Sequence, residues 1–205
     1  MHLSWLGQTC VKLQTKNMDE DVTILIDAYK PAKGDFPRSF SPTVALFSHG
    51  QENAATLSQN PFVLDTLGEC EIKNVMITAW PTNAENIVYK INAEGLALVH
   101  LGRMHKKAEL SELEKIGNID ILFIPVGNGS AYLSAEDAAD LTTALEPRIV
   151  IPIAYQCDTD PAAKPVSEFT KELGLKPEVT DKKIIIKKKD LPQEETKLFI
   201  LEKSI

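Results

Sequence analysis

The chain has 205 residues, enough for one sizeable hydrophobic core or at most two small domains. Its 43% hydrophobic and 25% charged residues are ordinary for a globular protein, and its net charge of −7 argues against broad nucleic-acid binding, which needs a positive surface to displace counterions. No run of about 18 apolar residues predicts a membrane-spanning helix, and Met1-His2-Leu3-Ser4-Trp5-Leu6 lacks the basic and apolar segments of a signal peptide, so a cytoplasmic protein is expected.

The first half reads as consecutive strands. Leu3 to Leu6, Cys10 to Leu13 and Val22 to Ile26 are short and rich in β-formers, broken by Gly7 and the polar segment Thr15 to Asp21. Val44 to Phe47 is a further strand that delivers His49 to its C-terminal end. Strands follow at Phe62 to Leu64, Glu69 to Ile72, Val75 to Thr78, Asn86 to Ile91 and Leu96 to Leu101, the last two joined by a hairpin turn at Asn92-Ala93-Glu94-Gly95.

The second half alternates helices with strands. Ser111 and Glu114 have the spacing of a capping box, and Gly117 ends that helix. Ile121 to Val126 and Ile149 to Ile153 are continuous apolar runs, as expected for strands covered on both faces. Between them Ser134 caps a helix carrying Ala138, Leu141, Ala144 and Leu145 and stopping before Pro147. Val166 to Leu173 is a short amphipathic helix ended by Gly174. Ile184 to Ile186 and Lys197 to Leu201 are expected to close the chain as an antiparallel pair joined through Leu191-Pro192. Lys182, Lys183 and Lys187 to Lys189 flank the isoleucines as the guard of a sheet-edge strand. No linker or repeat divides residues 1–205, so one α/β domain with a layered sandwich is predicted.

Cys10, Cys70 and Cys157 are odd in number and widely spaced, which suggests neither a disulfide framework nor a metal knuckle. Cys10 and Cys70 are expected to be buried and Cys157 to lie in a loop. Gly127-Asn128-Gly129-Ser130 does not have the spacing of a phosphate loop and reads as a turn.

Several segments, in order, resemble one family. Trp5-Leu6-Gly7-Gln8-Thr9-Cys10 is similar to Trp-Leu-Gly-His-Ser-Cys, and Ile24-Leu25-Ile26-Asp27 to a strand ending in an aspartate near a metal. Ser48 to Ala54 stands where His-x-His-x-Asp-His is found, and Gly68-Glu69-Cys70-Glu71-Ile72 is similar to a Gly-Glu-Tyr-Glu segment. His100-Leu101-Gly102-Arg103 is similar to His-Leu-Gly-Asp, Pro125-Val126-Gly127 to Pro-Val-Gly-Gly, and Pro147 to Tyr155 to a stretch ending Pro-Met-His-Tyr. Together these resemble the metallo-β-lactamase superfamily, and within it the predicted Zn-dependent hydrolases of the ascorbate-lactonase (UlaG-like) type. The resemblance implies a four-layer αββα sandwich, and relatives use zinc or another divalent metal.

Carried over residue by residue, the metal motif keeps His49 but has Gln51, Asn53 and Ala54 at its other ligand positions, with Arg103 and Ala154 replacing an aspartate and a histidine further on. A catalytic zinc takes three protein ligands and an open position, and a guanidinium donates hydrogen bonds only and repels a dication. No resident metal cofactor is therefore expected. Two functions stay open. The first is a non-catalytic protein with a degenerate site, its residual pocket of Asp27, His49, Gln51, Glu52, Asn53, His100 and Arg103 taking a small anionic ligand, or the chain serving in a homo-oligomer. The alternative is a hydrolase with a single metal held by His49, His100 and a carboxylate such as Asp27 or Glu52, or with His49 as a metal-free general base. Structural roles stand beside these: His49 bonded to backbone in a turn, Asp27 as a turn cap, His100 satisfied at a strand end, and His2 and His105 at the surface. In the same vein Gln8, Gln51 and Asn53 would bond one another, and Arg103 would neutralise Asp27 or Glu52.

Overall fold

The computed structural model describes residues 1–17, 20–82, 86–109, 112 and 114–204. The chain runs β1 (His2–Gly7), β2 (Cys10–Asn17), β3 (Glu20–Ile26), β4 (Ser39–Phe40), β5 (Val44–Leu46), β6 (Thr56–Leu57), β7 (Phe62–Leu64) and β8 (Gly68–Ile72). It continues with β9 (Val75–Thr82), β10 (Asn86–Ala93), β11 (Leu96–His100), β12 (Ile121–Pro125), α1 (Ala135–Leu145) and β13 (Ile149–Ile153). It closes with α2 (Val166–Leu173), β14 (Pro177–Thr180), β15 (Ile184–Ile185) and β16 (Lys197–Leu201).

Two large sheets result. The first has the order β15-β1-β2-β3-β5-β7 and the second β14-β16-β13-β12-β11-β10-β9-β8, while β4 and β6 pair by themselves. In the first sheet β1, β2 and β3 form an antiparallel meander, after which β5 and β7 add in parallel. The second sheet has the same plan: β8 to β11 run antiparallel, then β12, β13, β16 and β14 are parallel. Because strand side chains alternate between faces, Trp5, Val11, Leu13, Ile24 and Ile26 point one way and meet Ile77, Tyr89, Ile91 and Leu98 of the second sheet in one buried cluster. The strands β12 and β13 are buried along their whole length, as their unbroken apolar runs require.

The outer faces are covered differently. Against the second sheet, α1 presents Ala138 and Leu141 and α2 presents Phe169, all buried in the main cluster. Ser134 accepts the Asp137 N–H at the start of α1, and Glu146 ends it in a left-handed conformation; Gly174 ends α2 in the same way. On the outer side of the first sheet, Leu6, Cys10 and Leu25 pack under Ala28, Tyr29, Phe36, Phe40 and Leu57 from the long segment after β3. Tyr29, Phe36 and Phe40 follow one another there in tilted and edge-on ring contacts.

Most expected elements fall where the pattern puts them, including the two-residue turn at Glu94-Gly95 between the paired Ala93 and Leu96. The C-terminal pair is a correction. Ile184 and Ile185 join β1 in the first sheet, whereas Lys197–Leu201 lies in the second between β13 and β14. The connection through a 3-10 turn at Lys188–Asp190 reaches from one sheet to the other, so each apolar segment seals the sheet that needs it. Strand β14 had no sequence signal, being half polar and opened by a proline. The helix start at Ser111 and Leu113 lies outside the described residues; from Glu114 to Ile116 the chain makes a 3-10 turn before Gly117. Cys10 is buried, and Cys70, expected buried, is half-buried, as is Cys157. No described helix is long and apolar enough to cross a membrane.

Candidate functional site

The parallel strands of both sheets end on one rim of the sandwich, where the chemistry-bearing residues gather. Asp27 follows β3, Ser48 and His49 follow β5, His100 to Arg103 end β11, and Ala154 follows β13. Ligands in open α/β sheets favour such C-terminal strand ends. Main-chain bonds lock the two sheets together under this rim: Ala154 N–H donates to the Gln8 carbonyl at 2.9 Å and Ile87 N–H to the Ser48 carbonyl at 2.7 Å. Above them opens a cleft of about 840 Å³ whose wall includes Gln8, Lys30, His49, Asn53, Arg103 and Tyr132.

Asp27 and Ser48 form the floor. Asp27 is buried in a left-handed conformation with φ 52, a costly geometry for a residue other than glycine. The cost is offset locally, because its carboxylate accepts the Ser48 N–H at 2.6 Å and the Ser48 hydroxyl at 2.7 Å. With its hydrogen given to Asp27, Ser48 Oγ accepts from His49 Nδ1 at 2.9 Å. The partners thereby assign the His49 proton to Nδ1 and leave Nε2 as an acceptor. His49 is bonded to a side chain, not to backbone as expected, and Asp27 bonds across to Ser48 on the neighbouring strand end instead of capping a local helix or turn.

His100 is fully buried. Its Nε2 donates to the Thr9 carbonyl at 2.9 Å, and its Nδ1 accepts the Gly102 N–H at 3.0 Å. Both nitrogens are spent, so this ring has no lone pair for a metal. Burial holds its pKa below the ordinary histidine value. Next to it, buried Asn86 accepts the Arg103 N–H at 2.7 Å and donates to the Leu101 carbonyl at 2.9 Å. Gly102 is required here: its φ is 63, and a Cβ would strike Asn86 Oδ1 and come within 2.6 Å of Ser48 Cβ.

The remaining predicted residues separate. Arg103 is exposed on the cleft wall and makes no ion pair with Asp27 or Glu52 among the described residues, contrary to expectation. Its positive charge is felt by Tyr132, whose hydroxyl is nonetheless pushed up, mainly by burial and then by Asp160. Gln51 turns outward and donates to Asp65 at 2.7 Å, so the expected amide network with Gln8 and Asn53 does not form. Glu52 and Asn53 stay on the cleft, Asn53 with φ 60. His2 lies at the surface, half-buried on the rim of a groove, and His105 is half-buried where full exposure was expected. Ser48, Asn86, Thr9 and Tyr132 were missed from sequence; a serine before a histidine or a lone asparagine carries no periodic or spacing signal.

The donor set does not fit the metal that the family resemblance implies. Among the described residues no group of three His, Cys, Asp or Glu side chains converges. Asp27 already serves Ser48, His100 is spent, and the positions of Ala54 and Ala154 carry only methyl groups.

Two facing sheets, the second covered outside by α1 and α2 and the first by the segment after β3, with a cleft at the parallel strand ends, define an α/β sandwich of metallo-β-lactamase type. A family model described as a β-lactamase superfamily domain matches residues 2–154, and the chain belongs to that family. A UPF0173 metal-dependent hydrolase of Lysinibacillus sphaericus is 26% identical over 201 residues, covering 76% of this chain and 85% of the relative. One from Thermococcus onnurineus is 25% identical over 188 residues, covering 84% and 83%. A crystal structure from Thermotoga maritima, assigned to the metallo-β-lactamase superfamily, superposes with a TM-score of 0.81 at 24% identity, covering 98% of this chain and 100% of that one. The chain is thus a β-lactamase superfamily domain with a metallo-β-lactamase-type fold, similar to proteins named as metal-dependent hydrolases.

Proposed function

We propose that this member of the family is non-catalytic and that its cleft binds a small anionic molecule without a metal. The observation that carries the reading is the state of Arg103: its guanidinium stands on the cleft wall with no carboxylate paired to it among the described residues. Lys30 lines the same cleft, also without an ion-pair partner there. A planar fork of donors suits a carboxylate or phosphate group, while Gln8, Asn53, Thr159 and Tyr132 offer neutral polar contacts to the rest of a ligand.

Elemental mass spectrometry together with ligand-dependent melting tests this. Protein purified without chelators is expected to carry far less than one zinc, iron or manganese per chain. Inorganic phosphate or a small dicarboxylate is expected to raise the melting temperature of the wild type and not that of Arg103→Ala. About one tightly held metal per chain, or equal shifts in both proteins, overturns the reading.

One observation favours a second reading. The chain Asp27, Ser48, His49 fixes the imidazole tautomer and leaves Nε2 on the cleft side, the arrangement a metal-free general base requires. Chelator-resistant ester hydrolysis that disappears in His49→Ala would favour this hydrolase over the binding protein.

A further inference from the structure

The first sheet ends in two edges of opposite character. One is β7, which the short link of residues 65–67 joins to β8, the free edge strand of the second sheet. Among the described residues the exposed large apolar side chains are Phe62, Val63, Leu67, Met76, Val179 and Ile185; the first three lie on β7 and the link to β8, and Met76 stands on β9 opposite Glu71 of β8. Around them stand the exposed carboxylates of Asp65, Glu69 and Glu71. The only base on this stretch, Lys73, is held by Glu20 at 2.7 Å. Neither β7 nor β8 carries the lysine or proline that usually blunts an open edge.

The opposite edge is β15, whose exposed Lys182, Lys183, Lys187, Lys188 and Lys189 form no ion pair among the described residues. Ile185 lies exposed at its centre, on the rim of a groove of about 530 Å³ that also includes His2, Lys183 and Lys187. An acidic, apolar edge and a basic edge with an apolar centre are therefore presented by the same molecule at opposite ends of one sheet.

We propose that the β7–β8 corner docks the β15 edge of a second copy of this chain, head to tail. Charge complementarity selects this occupant. An antiparallel β8–β8 contact centred on Cys70 would set Glu69 against Glu71 of the other copy, and like charges directly opposite one another destabilise a pair. The other free edge, β14, is not basic: it carries Glu178, already bonded to Lys197. Among the described residues, β15 is the free edge that offers lysines without ion pairs beside an exposed isoleucine. The contact joins two different surfaces, so every copy keeps one open edge and the assembly grows into a ring or an open chain. This docking is independent of what binds in the cleft.

Sedimentation velocity on the full chain tests it. The weight-average mass of the wild type is expected to rise with concentration at low ionic strength and to fall to that of a monomer in about 0.5 M salt, where exposed charges are screened. The variant Glu69→Lys with Glu71→Lys blocks one edge, and Lys183→Ala with Ile185→Ser and Lys187→Ala blocks the other. Each alone is expected to be monomeric, and an equimolar mixture is expected to stop at a dimer, since each partner retains the edge the other has lost. A wild type that stays monomeric at all concentrations in low salt overturns the proposal without need of any variant. So does a mixture that stays monomeric while the wild type associates, or a blocked variant that associates as the wild type does.

Discussion

Gly102 and His100 hold one another through the Gly102 amide, which donates to His100 Nδ1 at 3.0 Å. The opposite nitrogen reaches Thr9, between the first two strands of the other sheet, at 2.9 Å. A histidine that reads in sequence as a metal ligand is therefore a cross-brace between the sheets.

Removing the brace has a cost. His100→Ala deletes a buried ring and strands the Thr9 carbonyl and the Gly102 amide, for an expected loss of about 2–4 kcal/mol. Urea unfolding monitored by tryptophan fluorescence reads this; a loss within about 0.5 kcal/mol, the range of ordinary surface substitutions, would mean that His100 braces nothing.

The same ring makes stability depend on pH. Burial lowers its pKa in the folded protein, whereas the unfolded chain keeps the ordinary value of 6.5. Between those two values the unfolded state binds more protons, so stability rises with pH. The contribution is complete above 6.5 and is lost as the pH falls through the folded value. Urea midpoints of the wild type are expected to decline below pH 6.5 more steeply than those of His100→Gln; parallel curves would remove His100 as the cause.

Gly102→Ala is expected to destabilise more than an ordinary glycine substitution. The left-handed backbone costs about 1–2 kcal/mol with any Cβ, and this Cβ also meets Asn86 and Ser48. A melting temperature unchanged within error would show that the turn relaxes freely.

Arg103→Ala is expected to weaken binding of a carboxylate or phosphate ligand about tenfold or more, the scale of a lost charged hydrogen bond of about 1.5–3 kcal/mol. Arg103→Lys should restore the charge without the planar fork and recover only part of the affinity. Isothermal titration separates the two; full recovery in Arg103→Lys would reduce the site to a point charge.

Rebuilding the ligand set should bring metal back. Gln51→His, Asn53→Asp, Ala54→His, Arg103→Asp and Ala154→His together are expected to create zinc affinity measurable by competition with a chromogenic chelator. No gain would mean that the loop residues do not occupy the ligand positions assigned to them by resemblance.

The helices α1 and α2 were legible from sequence because their ends carry chemistry: Ser134 caps α1, Gly174 ends α2, and each has an apolar face that repeats with the helical period. The strands β12 and β13 were legible as unbroken apolar runs. Pairing was not. Ile184 and Leu198 are equally good strand residues, and nothing local says that one seals β1 and the other joins β13. In the cleft, the missing ligands at Ala54 and Ala154 could be read directly, but the bonding of the survivors could not. That Gln51 turns to Asp65, and that Ser48 stands between Asp27 and His49, depends on loop geometry set by residues far apart in the chain.

The two main-chain bridges under the cleft, from Ala154 to Gln8 and from Ile87 to Ser48, involve no side-chain atoms. The framework of the rim is therefore largely indifferent to which side chains project above it. Histidines and aspartates can be exchanged for amides, methyl groups or a guanidinium while the platform that presents them persists. A fold fastened in this way lets chemistry drift between lineages faster than architecture, and leaves a ready-made recess for whatever ligand the new side chains happen to suit.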